Sequence, residues 1–331
     1  MKAQVIKQFG DPSVFSMVDI AIPELQPGHV LIKVAATSVN PVDCKIRSGA
    51  ASAIAPEFPA ILHGDVAGVI ESVAPDVTQF VVGDQVYGCA GGVRGLGGAL
   101  AEYMLADARL IAKKPRSLSM IEAAALPLVC ITAWEALILK SALRHDNTVL
   151  IHGGVGGVGH VAIQLAKWSG AKVFTTILKP EDVALAKSFG ADEVINAREE
   201  DPEQYVQRLT EGQGFNIVFD TVGGANLDRS FLAAMQNGTV VTTAARSTHD
   251  LTPMHNNALS LHVVYMLLPL LQNRGREQHG IILSRLADIA DEGKLKPLID
   301  PNQFTLETVS QAHALLESGK AQGKVILNFE S

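Results

Sequence analysis

The stretch that decides the fold is 149-VLIHGGVGGVGHVAIQLAKWSGAKVFTT-176. An apolar run, 148–153, leads into clustered glycines. An amphipathic segment follows over 157–170, and a second apolar run over 172–177. That order predicts strand, tight loop, helix and parallel strand. Gly154, Gly156 and Gly159 satisfy G-x-G-x-x-G. In a chain with 29 glycines the pattern alone is weak, and its place between a strand and a helix is what gives it weight. Gly154 permits the sharp turn. Gly156 lets the backbone approach a pyrophosphate at the positive helix N-terminus. Gly159 lets helix and strand pack closely. With Gly157 and Val158 between them, these residues form a candidate cradle for a dinucleotide.

The end of the second strand indicates which dinucleotide. A reader of NAD places a carboxylate there for the ribose hydroxyls. Here Ile177, Leu178 and Lys179 occupy it, and Glu181 and Asp182 come only later. Lys179 suits a 2′-phosphate, so NADPH is the first candidate and NADH the second.

Working outward, strands and helices alternate from about residue 120. Helices are expected over 181–190, 202–212 and 225–235, and strands over 193–196, 216–222 and 238–244. Such alternation builds a parallel, doubly wound sheet. Before residue 120 the chain is β-rich, with runs such as 30-VLIKVAATSV-39, 66-VAGVIESV-73 and 85-QVYG-88 between Pro, Gly and Asp turns. The sequence 91-GGVRGLGG-98 reads as a glycine-rich loop, expected to form a mobile lip. Ser119 and Glu122 make a capping box for a helix entering the α/β part. After 270 come helices at 276–293 and 307–319 and a strand at 324–329. The reading is therefore α/β overall, with a β-rich domain at 1–122 and 271–331 and a dinucleotide-binding domain at 123–270.

Composition narrows the classes. With 331 residues, 47% of them hydrophobic, the chain has material for two cores. Its net charge of −7 lacks a basic block, which argues against nucleic acid as a partner. The three widely spaced cysteines, Cys44, Cys89 and Cys130, show no disulfide or CxxC framework and fit a cytoplasmic setting. The apolar run 259-LSLHVVYMLLPLL-271 is too short to span a membrane, which takes roughly 20 residues. It reads as a buried strand and turn or an interface.

An ordered set of segments then identifies a resemblance over essentially the whole chain. The segments are 38-SVNPVDCKIRSG-49, 63-HGDVAGVIESVAPDV-77, 83-GDQVYG-88, 98-GALAEYM-104, 123-AAALPLVCITAWEAL-137, 153-GGVGGVG-159, 190-GADEVIN-196 and 323-GKVIL-327. They resemble the medium-chain dehydrogenase/reductase superfamily, in its zinc-independent quinone oxidoreductase branch. The resemblance implies a GroES-like catalytic domain and a Rossmann domain, with the cofactor in the cleft between them. It places Asn40 and Thr132 beside the nicotinamide, Thr132 at the start of the helix leading into the Rossmann domain. It brings backbone groups near Thr243 and Ala244 to the carboxamide. It also implies a homodimer through the edge strand 261-LHVVYM-266.

Zinc-dependent relatives would carry a cysteine where this chain has Asn40, a histidine at Gly64 and a third ligand near Leu128. No zinc is expected, because none of these side chains is a usual ligand. Cys44, His63 and Asp65 remain a rival zinc-capable set. Asp43 reads as a cap of the following turn, and Tyr87 and Tyr103 as packed hydroxyls. No side chain stands out as a general acid, which leaves water as the proton source. The leading expectation is an NADPH-dependent reductase of a quinone or an enone or enal. The rivals are a zinc-dependent alcohol dehydrogenase and a non-catalytic NADPH-binding protein.

Overall fold

A computed structural model describes residues 1–329. The strands run β1 (Lys2–Ile6), β2 (Phe15–Asp19), β3 (His29–Val39), β4 (Asp65–Val73), β5 (Gln85–Cys89), β6 (Tyr103–Asp107) and β7 (Ile111–Lys113). They continue as β8 (Thr148–Ile151), β9 (Lys172–Ile177), β10 (Glu193–Asn196), β11 (Phe215–Asp220), β12 (Ala234–Thr242), β13 (Ser260–Val263) and β14 (Val325–Asn328). The chain forms two compact units. One joins residues 1–131 to the segment from Leu267 onward, and the other is Thr132–Met266.

The first unit is the antiparallel one. Its main sheet has the order β14-β3-β4-β5-β7, with β6 also pairing β3. The long β3 shares one edge between β6, along His29–Lys33, and β14, along Ala36–Val39, while β4 lines the other. Consequently the end of β3, the start of β4 and the start of β14 meet at one place. Asn40, Asp65 and Lys324 stand at those three strand ends.

The glycine-rich segment 91–98 is anchored at both ends, with Arg94, Gly95 and Gly97 exposed at its tip. Gly98 and Ala99 donate backbone bonds to Ile61 and His63, and Arg94 bonds the carbonyls of Ile54 and Ala53. A Cβ on Gly98 would lie 1.9 Å from the Leu62 carbonyl oxygen, and one on Gly91 1.9 Å from that of Gly97. These glycines serve close packing, which composition alone does not separate from flexibility.

The second unit holds a parallel sheet in the order β10-β9-β8-β11-β12-β13. Relative to its first strand this is 3-2-1-4-5-6, the doubly wound order expected from the alternation. The order reverses between β8 and β11, and the glycine loop leaves the carboxyl end of β8 at that point. Leu150, Phe174, Val218, Phe231 and Val240 form part of its buried core.

Three local boundaries differ from the sequence reading. The helix after β11 ends at Ala233, and β12 starts directly at Ala234, with Asn237 at φ 58° breaking the register. The last strand stops at Val263 rather than reaching Met266. Val264 and Met266 turn inward, and Val263 is 47% exposed. Thr132 lies near the end of the helix Pro127–Trp134, not at its start, and the chain continues as a wider turn over Glu135–Lys140. The Ser119–Glu122 capping box forms as read. Among the described residues no helix is long and apolar enough to cross a membrane.

Candidate active site

The second unit positions the glycine loop from both sides. The amide of Gly153 donates to Thr176 Oγ1 at 3.1 Å and that of Gly154 to the Thr176 carbonyl at 2.9 Å. From the other neighbour, the Thr221 hydroxyl donates to the His152 carbonyl at 2.7 Å. A Cβ on Gly154 would fall 2.2 Å from Thr175 Oγ1, and one on Gly159 2.0 Å from the Gly153 carbonyl oxygen. The helix Gly159–Trp168 therefore begins tight against its strand. In its first turn the His160 amide donates to the Gly156 carbonyl at 3.2 Å and the Ala162 amide to that of Val158 at 3.0 Å. A closely approachable glycine turn at the positive end of a helix is the arrangement an anionic pyrophosphate fits.

Lys179 is exposed just past β9, at the head of the turn Pro180–Asp182, and Ile177 is buried. Thr243 and Ala244 lie just beyond β12. The Thr243 amide donates to the Asp220 carbonyl and the Ala244 amide to Thr242 Oγ1. Buried Asp220 secures this end of the sheet by accepting from the Val222 and Gly223 amides and from Asn226 Nδ2. Sequence reading missed Thr176, Thr221 and Asp220. Their signal is a small polar residue at the carboxyl end of an apolar strand beside a glycine turn.

The first unit gathers a buried polar cluster where three strands end. Asn40 Nδ2 donates to Asp65 Oδ2 at 2.8 Å, as does the Ser38 hydroxyl at 2.6 Å. The Leu128 amide donates to Asp65 Oδ1 at 2.8 Å. The Lys324 ammonium bonds Asn40 Oδ1 and lies 3.5 Å from Asp65 Oδ2. Asn40, Asp65 and Lys324 are 1%, 0% and 3% exposed, so this charge pair works in a low dielectric. Asp43 caps the helix Pro41–Ser48 by accepting from the Asn40 amide at 2.7 Å. Asn40 thus holds the helix start with its backbone and the ion pair with its side chain.

These residues do not fit a zinc ion. The three positions where zinc relatives carry ligands hold an amide bonded to Lys324, a glycine, and a leucine whose N–H serves Asp65. A Cβ on Gly64 would meet Cys89 Sγ and the Gly91 carbonyl, each at 3.0 Å. The rival donors are engaged separately. His63 Nδ1 faces Thr37 Oγ1 at 3.3 Å and its Nε2 faces His313 Nε2 at 2.9 Å. Cys44 Sγ faces His313 Nδ1 at 3.4 Å. Burial pushes the Cys44 thiol up to about 12, away from the thiolate a metal needs. Among the described residues no group of three or more His, Cys, Asp or Glu is placed to hold a metal ion. The Tyr87 hydroxyl donates to the Leu283 carbonyl at 2.6 Å, the packed role read for it.

The cluster has a pH signature. Burial pushes His313 down to about 3 and His63 well below the ordinary range, and it pushes Asp43 up to about 7. Below about pH 6.5 an unfolded histidine takes a proton that the folded one refuses, so both imidazoles lose stability as pH falls. Asp43 acts oppositely. The folded carboxyl keeps a proton that the unfolded chain releases above about 3.9, so its contribution is lost as pH rises to about 7. Two groups oppose one. Between pH 6 and 4 the cluster should lose a net ~1.4 kcal/mol per pH unit at full effect. Urea midpoints at pH 7, 6 and 5 test this. His313→Gln should flatten the slope, and a wild type that gains stability toward pH 5 would contradict the assignment.

Comparison with known proteins agrees with this layout. Residues 26–116 match the family described as alcohol dehydrogenase GroES-like domain, and 157–278 match that described as zinc-binding dehydrogenase. Quinone oxidoreductase of Homo sapiens is 32% identical over 329 residues, covering 99% of this chain and 97% of that protein. The chloroplastic NADPH-dependent alkenal/one oxidoreductase of Arabidopsis thaliana is 32% identical, covering 99% of this chain and 79% of that protein. Among solved structures, an alcohol dehydrogenase superfamily protein from Novosphingobium aromaticivorans superposes with a TM-score of 0.95 at 39% identity, with both chains fully covered.

Proposed function

Because the chain belongs to the medium-chain dehydrogenase/reductase superfamily, in its quinone oxidoreductase branch, we propose that it is an NADPH-dependent, zinc-independent reductase of quinones or α,β-unsaturated carbonyls. The observation that carries this reading is the Lys324 ammonium bonded to Asn40 where zinc relatives place a ligand. An alcohol oxidation would need a Lewis acid there. A quinone or enone needs less help, because its accepting carbon is already electron-poor.

When bound, the reduced nicotinamide supplies the hydride. The chain's own residues divide the remaining work. Gly154, Gly156, Gly157, Val158 and Gly159 hold the pyrophosphate, and Lys179 pairs with the 2′-phosphate. Backbone groups of Thr243 and Ala244 take the carboxamide. Asn40 and Thr132 orient the ring, and Asn40 is itself fixed by Asp65 and Lys324. Water delivers the proton to the developing enolate or hydroquinone oxygen. The open outer edge of β13 is the surface for a homodimer, which light scattering at micromolar concentration tests.

NADPH oxidation with a small quinone and excess chelator is the direct test, with an enone as second acceptor. Turnover should be unchanged by the chelator, and its loss would move the assignment to a zinc enzyme. Lys179→Ala should raise KM for NADPH about tenfold and leave that for NADH near its starting value, since a charge-assisted phosphate contact is worth about 1.5–3 kcal/mol. Equal effects on both cofactors would remove the 2′-phosphate role.

A further inference from the structure

The second unit carries a hydrogen-bonded series that the reductase reading leaves unused. Ser247 Oγ lies 2.5 Å from His249 Nε2, and His249 Nδ1 lies 2.9 Å from Asp228 Oδ1. Ser247 and His249 come from the segment after β12, and Asp228 from the helix Ala225–Ala233, so the tertiary fold brings the acid to the base. An ionised carboxylate only accepts. Asp228 therefore sets the tautomer, with the hydrogen on Nδ1 and a lone pair on Nε2 facing the serine hydroxyl. The imidazole side chain is 9% exposed and stands edge-on to Phe231, with centroids 6.3 Å apart and planes at 87°. That packing holds the ring in line. Ser247 itself is exposed, as are its neighbour Arg246 and, at 56%, Leu251. The amides of Ser247 and Thr248 donate to no backbone acceptor among the described residues, which leaves N–H groups beside the hydroxyl for a developing oxyanion.

We propose that Ser247, His249 and Asp228 form a second catalytic site that hydrolyses small activated carboxylic esters. Nucleophile, base and orienting acid stand in the order that acyl transfer requires, and such sets are recognised by geometry rather than by fold. Ser247 Oγ forms a bond to the ester carbonyl carbon while its proton passes to His249 Nε2. The carbon–alkoxide bond then breaks, and the alcohol leaves with that proton. Water, giving a proton to the same nitrogen, attacks the acyl carbon; the carbon–Oγ bond breaks, Ser247 Oγ takes that proton back from His249, and the carboxylic acid leaves. No redox step and no cofactor enters. Ser247 and His249 are the catalytic residues, and Asp228 is a positioning residue. The open surface suits short acyl groups. This activity goes beyond the reductase reading and does not rest on it.

The test is hydrolysis of 4-nitrophenyl acetate by the full chain without nucleotide. Ser247→Ala and His249→Gln should each lower the rate at least about tenfold, and Asp228→Asn should lower it less. Unfolding midpoints and NADPH-dependent quinone reduction should stay at wild-type values in all three. Rapid quench and peptide mapping should place one acetyl group on Ser247, and Ser247→Cys should retain an acyl burst. Wild-type hydrolysis by Ser247→Ala, or an acetyl group found only on lysines or cysteines, would overturn the proposal. Ester hydrolysis without NADPH oxidation would leave this site standing and remove the reductase instead.

Discussion

Replacing Lys324 by methionine is expected to cost about 3–5 kcal/mol of stability, because it leaves the Asp65 carboxylate buried without its counter-charge. Asp65 would keep the Ser38, Asn40 and Leu128 donors, but hydrogen bonds alone do not offset an ion at 0% exposure. Asn40 would also lose the donor to its Oδ1 and be held only through its Nδ2 bond to Asp65. Urea unfolding gives the size of the loss, and hydrogen exchange at the β3 and β4 amides assigns it to this unit. Asp65→Asn should be costly by itself. The double variant Lys324→Met/Asp65→Asn should cost clearly less than the two single effects added, which is the signature of a coupled pair. A Lys324→Met protein within about 0.5 kcal/mol of wild type would mean that the ammonium does not hold the cluster.

That pair also marks where sequence reading ran out. Lys324 is separated from Asn40 by nearly the whole chain, and only the antiparallel pairing of β14 with β3 makes them neighbours. Nothing in the local pattern of 323-GKVIL-327 says that its lysine is buried. His313 is hidden in the same way, as an ordinary member of an amphipathic helix until His63 is placed opposite it. Side chains that act through long-range strand pairing leave no local period to read.

Other features were legible because their cause is local. Apolar strands separated by helix-length segments predict a parallel sheet, and the observed order places β9 and β10 on one side of β8 and β11, β12 and β13 on the other. Capping at Ser119 is a matter of three residues' spacing, and that box formed as read, while Asp43 caps its own helix by reaching back to the Asn40 amide. Composition leaves the role of the segment 91–98 open for a physical reason. Glycine permits both motion and close approach, and only the neighbours, here Leu62 and Gly97, decide between them. The start of β12 was set by a similar competition. Ala234 and Met235 suit a helix, but pairing with β11 takes the chain into the sheet two residues before the helix would end by propensity alone.

The glycine loop carries the other large effect, and two alanine substitutions in it should behave differently. At Gly159 a Cβ would lie 2.0 Å from the Gly153 carbonyl oxygen, 2.8 Å from its carbon and 3.0 Å from Gly154 Cα. All three atoms are backbone, so no side chain can move aside. The loop itself must open, against the bonds that Thr176 and Thr221 make to it. Gly159→Ala should therefore lower the thermal midpoint and weaken NADPH binding together, the latter by ~2–3 kcal/mol, or about 30- to 150-fold. At Gly156 the added Cβ meets only the Gly153 carbonyl oxygen, at 3.2 Å, and φ is not in the left-handed region. The folded chain should accept that methyl with little loss. What it obstructs is the approach of a pyrophosphate to the helix N-terminus. Gly156→Ala should thus bind NADPH at least tenfold more weakly while unfolding near the wild-type temperature. Fluorescence titration with NADPH, beside thermal unfolding without it, separates the two effects. If Gly156→Ala binds NADPH like wild type, the loop is a packing device and not a phosphate cradle. If both variants fail in binding but only Gly159→Ala fails in stability, the two glycines divide the work as the geometry assigns it, one holding the helix to its strand and the other keeping the ligand's path clear.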